Sequence, residues 1–141
     1  MALEEKTFSI RNEEIEQFFV NNFVVKHRRQ RLLYELSGKK RIDGMMRFCH
    51  GTEEMIIKEK IIASGTDLYE QEILHIIRQL TNVENAYIMA YNEEIDACSC
   101  SVQEALEKVL GNGMAAIVII DNVVVVETEQ VCGTPERYIL R

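Results

Sequence analysis

Residues 115–127 read AAIVIIDNVVVVE, two apolar runs split by the pair Asp121-Asn122. Asp and Asn tolerate left-handed dihedrals, so a two-residue connection of this type predicts a tight β-hairpin. Neither run alternates apolar with polar residues, which implies strands buried on both faces. The covering layers must come from helices on one side and from the N-terminal helices, or a second copy of the chain, on the other. Around the hairpin, 86–91 reads as a strand rich in aromatic and branched residues. Cys132-Gly133-Thr134-Pro135 reads as a turn into a last strand at 137–140. The fold class expected is α+β: N-terminal helices, a sheet of three to five mostly antiparallel strands ending in a β-meander, and helices on at least one face.

The helices follow from apolar spacing. From Asn12, an N-cap followed by Glu13, Glu14 and Glu16, apolar residues at 15, 18, 19, 23, 25, 32, 33 and 36 share one broad face, and Ser37-Gly38 marks a stop. Asn22 and Arg29 project into that stripe, where an unpartnered polar group is costly. The preferred resolution is a break near Asn21-Asn22; the alternative is a buried Arg29 facing a carboxylate or a pocket. Residues 39–52, with Gly44 and Gly51, read as a loop with at most one helical turn, followed by a helix start at Thr52 and then a short helix leading into a strand across 55–62. A helix is expected over 67–80, with Tyr69, Ile73, Ile76, Ile77 and Leu80 on its apolar side and His75 off it. Ser101 and Glu104 form a capping box for a helix ending at Gly111.

Size and composition, 141 residues with 47% hydrophobic and 28% charged, suit one domain spanning 1–141, and one proline and seven glycines leave no linker. The start lacks the basic and apolar pattern of a secretion signal, and no apolar run approaches about 18 residues. A cytoplasmic protein with no membrane association, its four cysteines reduced, is the expectation.

Charge is strongly segregated. Positions 26–47 hold eight of the 16 Lys/Arg residues and only two of the 23 acids, Glu35 and Asp43, a formal +6 against −13 for the remainder. Helix-dipole complementation explains part of this bias. The rest points to a site for an anion or an acidic surface. Nucleic acid is disfavoured, because the acidic remainder repels a long polyanion and only Tyr34 and Phe48 interleave the bases.

Other chemistry is thinly signalled. Cys98-x-Cys100, Cys49-His50 and Cys132 lack the paired spacing of structural zinc ligands, so neither a metal nor another cofactor is expected. Cys49 beside His50 is a weak candidate for catalysis, because adjacency in sequence does not supply pair geometry. Glu127 and Glu129 share a strand face and read as a solvated strand end. Gly111-x-Gly113 lies between a helix and a strand, the reverse of a dinucleotide fingerprint. The function expected is a non-enzymatic binding or regulatory module, with a basic loop over 26–50 presenting Arg29, Lys39, Lys40, Arg41, Arg47 and His50 to an acidic protein surface or a small anion. The alternatives are a small enzyme with a pocket under the same loop, using His50 as acid/base and Arg47 as anion clamp, a toxin-neutralising protein of the immunity type, and a structural homodimer formed through the 115–127 hairpin.

Overall fold

The computed structural model describes residues 11–130 and 133–141. In chain order the elements are α1 (Glu13–Phe23), α2 (Lys26–Leu36), α3 (Arg41–His50), α4 (Thr52–Met55), a 3-10 turn (Lys58–Lys60), β1 (Ile61–Gly65), α5 (Glu70–Leu80), β2 (Asn85–Ala90), β3 (Cys98–Ser101), α6 (Val102–Val109), β4 (Ala116–Ile120), β5 (Val123–Glu127) and β6 (Arg137–Leu140). The strands form one antiparallel sheet in the order β1-β6-β5-β4-β2-β3. The α+β class stands, but the sheet has six strands rather than three to five. Edge strand β3 is the one the sequence conceals: its Cys-Ser-Cys-Ser run has no strong strand signal and is ordered by pairing with β2, from Asn85 opposite Ser101 to Ile88 opposite Cys98.

Apolar residues on both strand faces require two covering layers. On one face Tyr87, Met89, Ile117, Ile119, Val124, Val126 and Leu140 pack under α1–α4, against Phe19, Phe23, Leu36, Met45 and Phe48. On the other, Ala86, Ile88, Val118, Ile120, Val123, Val125 and Ile139 pack under Ile73 and Ile77 of α5 and Val102, Leu106 and Val109 of α6. Each buried Val, Ile, Leu, Phe or Met side chain stabilises the fold by about 1.5–3 kcal/mol relative to exposure, so neither face can be left open. β4 and β5 are central and fully buried within one chain. The 115–127 hairpin therefore offers no face to a second copy, and the homodimer expected through it is not supported by its position.

The N-terminal layer departs from the expected register in two places. The first helix does break, but at Val24-Val25 rather than at the asparagines. Val24 is extended and bridges Ile56, while Val25 N donates to Met55 O at 2.8 Å and Ile57 N to Phe23 O at 2.8 Å. β-Branched residues favour that extended geometry, whereas Asn22 is exposed and its side chain donates to Phe18 O. The segment expected as a loop, 39–52, is instead mostly helix α3. Gly44 is buried inside it, not in a turn: a Cβ there would lie 3.0 Å from Glu35 Cβ, so glycine is what lets α3 lie against α2. Two smaller differences follow the same logic. α5 starts at Glu70, with Tyr69 exposed ahead of it, and β1 begins at Ile61, beyond the 3-10 turn. Cys132 lies outside the described residues.

Two polar clusters are embedded in these layers. Under α5 and α6, Arg137 Nε donates to Glu127 Oε1 at 2.6 Å, directly across the β5–β6 ladder. Arg137 also donates to Leu68 O at 2.9 Å, and Glu127 accepts from Gly111 N at 2.9 Å. One ion pair thus ties the entry of α5 and the exit of α6 to the sheet. Glu127 is 0% exposed, which corrects the reading of Glu127 as part of a solvated strand end; only Glu129 is substantially exposed.

Removing one partner of such a pair strands the other charge in the core. Arg137→Met is therefore expected to lower the unfolding free energy by about 3–5 kcal/mol in urea denaturation, and the double variant Glu127→Leu/Arg137→Met to recover most of it. A single variant as stable as the parent would show that the pair does not carry this contact.

Candidate functional site

The second polar cluster decides which basic residues remain for a site. Glu16 of α1 is fully buried and accepts from Arg11 Nε at 2.7 Å, Arg41 Nη2 at 2.7 Å and Tyr87 Oη at 2.6 Å. Arg41 also donates to Asp96 through Nε at 2.7 Å and Nη2 at 3.0 Å, and to Leu36 O at 3.1 Å. Burial opposes the charge on Arg41, but hydrogen bonds to Asp96 and Glu16 outweigh it and hold its pKa above the ordinary arginine value. Burial and the Glu16 contact likewise raise Tyr87. Arg41 is thus an internal strut joining α1, α3 and the loop after β2. Arg29 is also turned inward, its Nε donating to Val24 O at 2.8 Å where the first helix breaks.

The other candidates stay on the surface. Lys39 and Lys40 are exposed at the α2–α3 turn. Arg47 forms a bidentate pair with buried Glu35, Nη2 to Oε2 at 2.6 Å and Nε to Oε1 at 3.3 Å. His50 Nδ1 lies 3.0 Å from Glu129 Oε1, with 60% of its side chain exposed.

Lys40, Arg47 and His50 line a groove of about 520 Å³ along the outer side of the α2–α3 hairpin. Arg28 and Arg31 of α2 join them, with Met46 and Met55 as apolar lining and Glu35, Asp43 and Glu54 as the acids. Arg28 and Arg31 were not among the expected contacts, although their spacing to Glu35 at i+7 and i+4 places all three on one helix face. The hydrogen bond from Arg47 outweighs burial and, with the charges of Arg47 and Arg31, holds the Glu35 carboxyl below its usual range.

Two of the other concavities adjoining the helices bear on the site. One of about 550 Å³ lies between α1 and the sheet, lined largely by Ile15, Phe18, Val83, Tyr87 and Ile119. The Tyr87 hydroxyl is already used, since it donates to Glu16 and accepts from Asn12 N. The other, of about 410 Å³, runs from Cys49 and His50 to Glu129, Glu136 and Tyr138, and is dominated by acids. There burial, together with Glu136 and Glu53, pushes the Tyr138 hydroxyl up to about 12. His50 sits on the ridge between this groove and the basic one. Burial, with a further contribution from Glu129 and against a backbone hydrogen bond at Ala115, pushes the Cys49 thiol up to about 11. Such a thiol is protonated at neutral pH, which disarms it as a nucleophile.

Two outcomes follow. Iodoacetamide at pH 7.5 should alkylate Cys49 about 100-fold more slowly than a free model thiol, from the thiolate fraction alone; labelling at the model rate would contradict the buried thiol. Because the folded carboxyl of Glu35 titrates below its ordinary value of 4.5, its contribution to stability is complete above that pH and is lost as pH falls through the depressed folded pKa. The stability difference between the protein and its Glu35→Gln variant should be flat from pH 6 to 8 and shrink below about pH 4.5; a difference that grows on acidification would refute the assignment. No family model, no curated protein and no solved structure matches this chain.

Proposed function

We propose that the protein is a non-enzymatic binding module whose α2–α3 hairpin takes an acidic segment of a partner protein. One observation carries this reading. Among the described residues, Lys26, Arg28, Lys39 and Lys40 make no side-chain hydrogen bond or ion pair, yet they are gathered on one hairpin of a chain whose net charge is −7. The cations inside, Arg11, Arg41 and Arg137, are instead matched by buried carboxylates. Charges left unpaired on one face of an acidic body attract a complementary surface and raise its association rate.

A protein segment suits the surroundings better than a bare ion. Tyr34 is 70% exposed, Ile42 41% and Met46 36% on the same two helices, and aromatic and Met side chains beside arginine are the residue types enriched at interfaces. The contact set is Arg28, Arg31, Lys39, Lys40, Arg47 and His50. Arg29 and Arg41 support it from within. The enzymatic alternative gains little from the geometry, since His50 is largely exposed and paired with Glu129.

The test uses a fluorescein-labelled octaglutamate peptide as the acidic probe. Arg28→Glu/Lys39→Glu/Lys40→Glu alters only exposed side chains and should leave the circular dichroism and melting curve intact. It should weaken the probe by more than about tenfold at low salt, and binding by the parent should fall as salt rises. Undiminished binding by the triple variant would overturn the proposed surface.

A further inference from the structure

Resting on the reading above, we infer that the acidic segment carries a phosphorylated serine or threonine whose phosphoryl group seats against Arg31 and Arg47. These two guanidiniums come from different helices and converge on one buried carboxylate. Glu35 Oε2 accepts from Arg47 Nη2 at 2.6 Å and from Arg31 Nε at 3.4 Å, while Oε1 accepts from Arg47 Nε at 3.3 Å. Glu35 itself is buried where α3 lies against α2 beside Gly44. The Arg47 fork, held by two bonds, is thereby oriented before any ligand arrives, which lowers the ordering cost of binding, while Arg31, 68% exposed, is tethered to the same carboxylate through Nε alone.

The donors that remain are the ones a phosphoryl group uses. Both terminal nitrogens of Arg31 and Nη1 of Arg47 have no acceptor among the described residues, and Arg28 and Lys40 line the same groove without a partner. A phosphoserine presents three acceptor oxygens and about −1.5 to −2 charges, so it can engage donors from two helices at once, whereas a carboxylate has two coplanar oxygens and a single charge. Asp43 and Glu54 stand on the groove wall. They repel any anion, so binding in this groove depends on the free donors of the arginine pair.

Two fluorescein-labelled octapeptides separate this inference from the reading on which it rests: octaglutamate, and the same peptide with one central phosphoserine. The protein is expected to bind the phosphopeptide about tenfold more tightly. Arg31→Lys, which keeps the charge and loses the fork, should cut that preference to less than about threefold. Inorganic phosphate should compete only at concentrations about 100-fold above the phosphopeptide. Equal affinity for the two peptides would overturn the phosphoryl inference and leave the acidic-segment reading standing, while failure of both to bind would overturn both. A preference unchanged in Arg31→Lys would overturn this seat. Competition by phosphate at the phosphopeptide's own concentration would assign the groove to a free anion and overturn the inference.

Discussion

The architecture depends on a sheet whose central strands are apolar on both faces. Val123 to Val126 and Ile117 to Ile120 are all buried, with alternate residues in the two separate cores. A sheet of this kind is unstable until both faces are covered, because each exposed Val or Ile forfeits about 1.5–3 kcal/mol. The chain meets this requirement asymmetrically. Two helices, α5 and α6, cover one face, and the four helices preceding β1 cover the other.

Packing apolar helices onto an apolar sheet leaves their orientation weakly specified, and the buried charges supply what is missing. Glu127–Arg137 reaches from the ladder to Leu68 O and Gly111 N. Glu16–Arg41–Asp96 joins α1, the start of α3 and the loop between β2 and β3, with Tyr87 of the sheet closing the network. Desolvating such groups costs energy that a hydrophobic replacement would avoid. Their geometry, however, ties these elements together at fixed points, since moving one away would leave an unpaired charge in the core. Asp96 contributes further by accepting from Ala90 N at 3.0 Å, which fixes the end of β2.

That internal accounting shapes the surface. Arg41, central to the basic run in the sequence, is drawn inside by two carboxylates distant in the chain. What remains outside is a hairpin with Lys26, Arg28, Arg31, Lys39 and Lys40 exposed, joined by the half-buried Arg47, whose guanidinium is oriented by Glu35. Gly44 belongs to the same arrangement, because the close approach it permits brings α3 and its Arg47 within reach of the Glu35 carboxylate. The basic face and the N-terminal core thus share a support.

The local signals in the sequence are strong where one residue type dictates its own geometry. The double apolar run around Asp121-Asn122, with Asp121 at a φ of 55°, determines the hairpin and the need for two layers; Ser101 and Glu104 determine the start of α6; the excess of Lys and Arg over 26–47 determines that one face of the N-terminal layer is basic. Other features depend on partners far along the chain. Edge strand β3 exists because β2 offers it a ladder, the helix break sits at Val24-Val25 because Ile56 pairs there, and helix 41–50 can lie close against α2 because Gly44 faces Glu35. Which arginines face solvent was likewise decided only by tertiary structure: a guanidinium is buried or exposed according to whether a distant carboxylate meets it, and Glu16 and Asp96 lie 25 and 55 residues from Arg41.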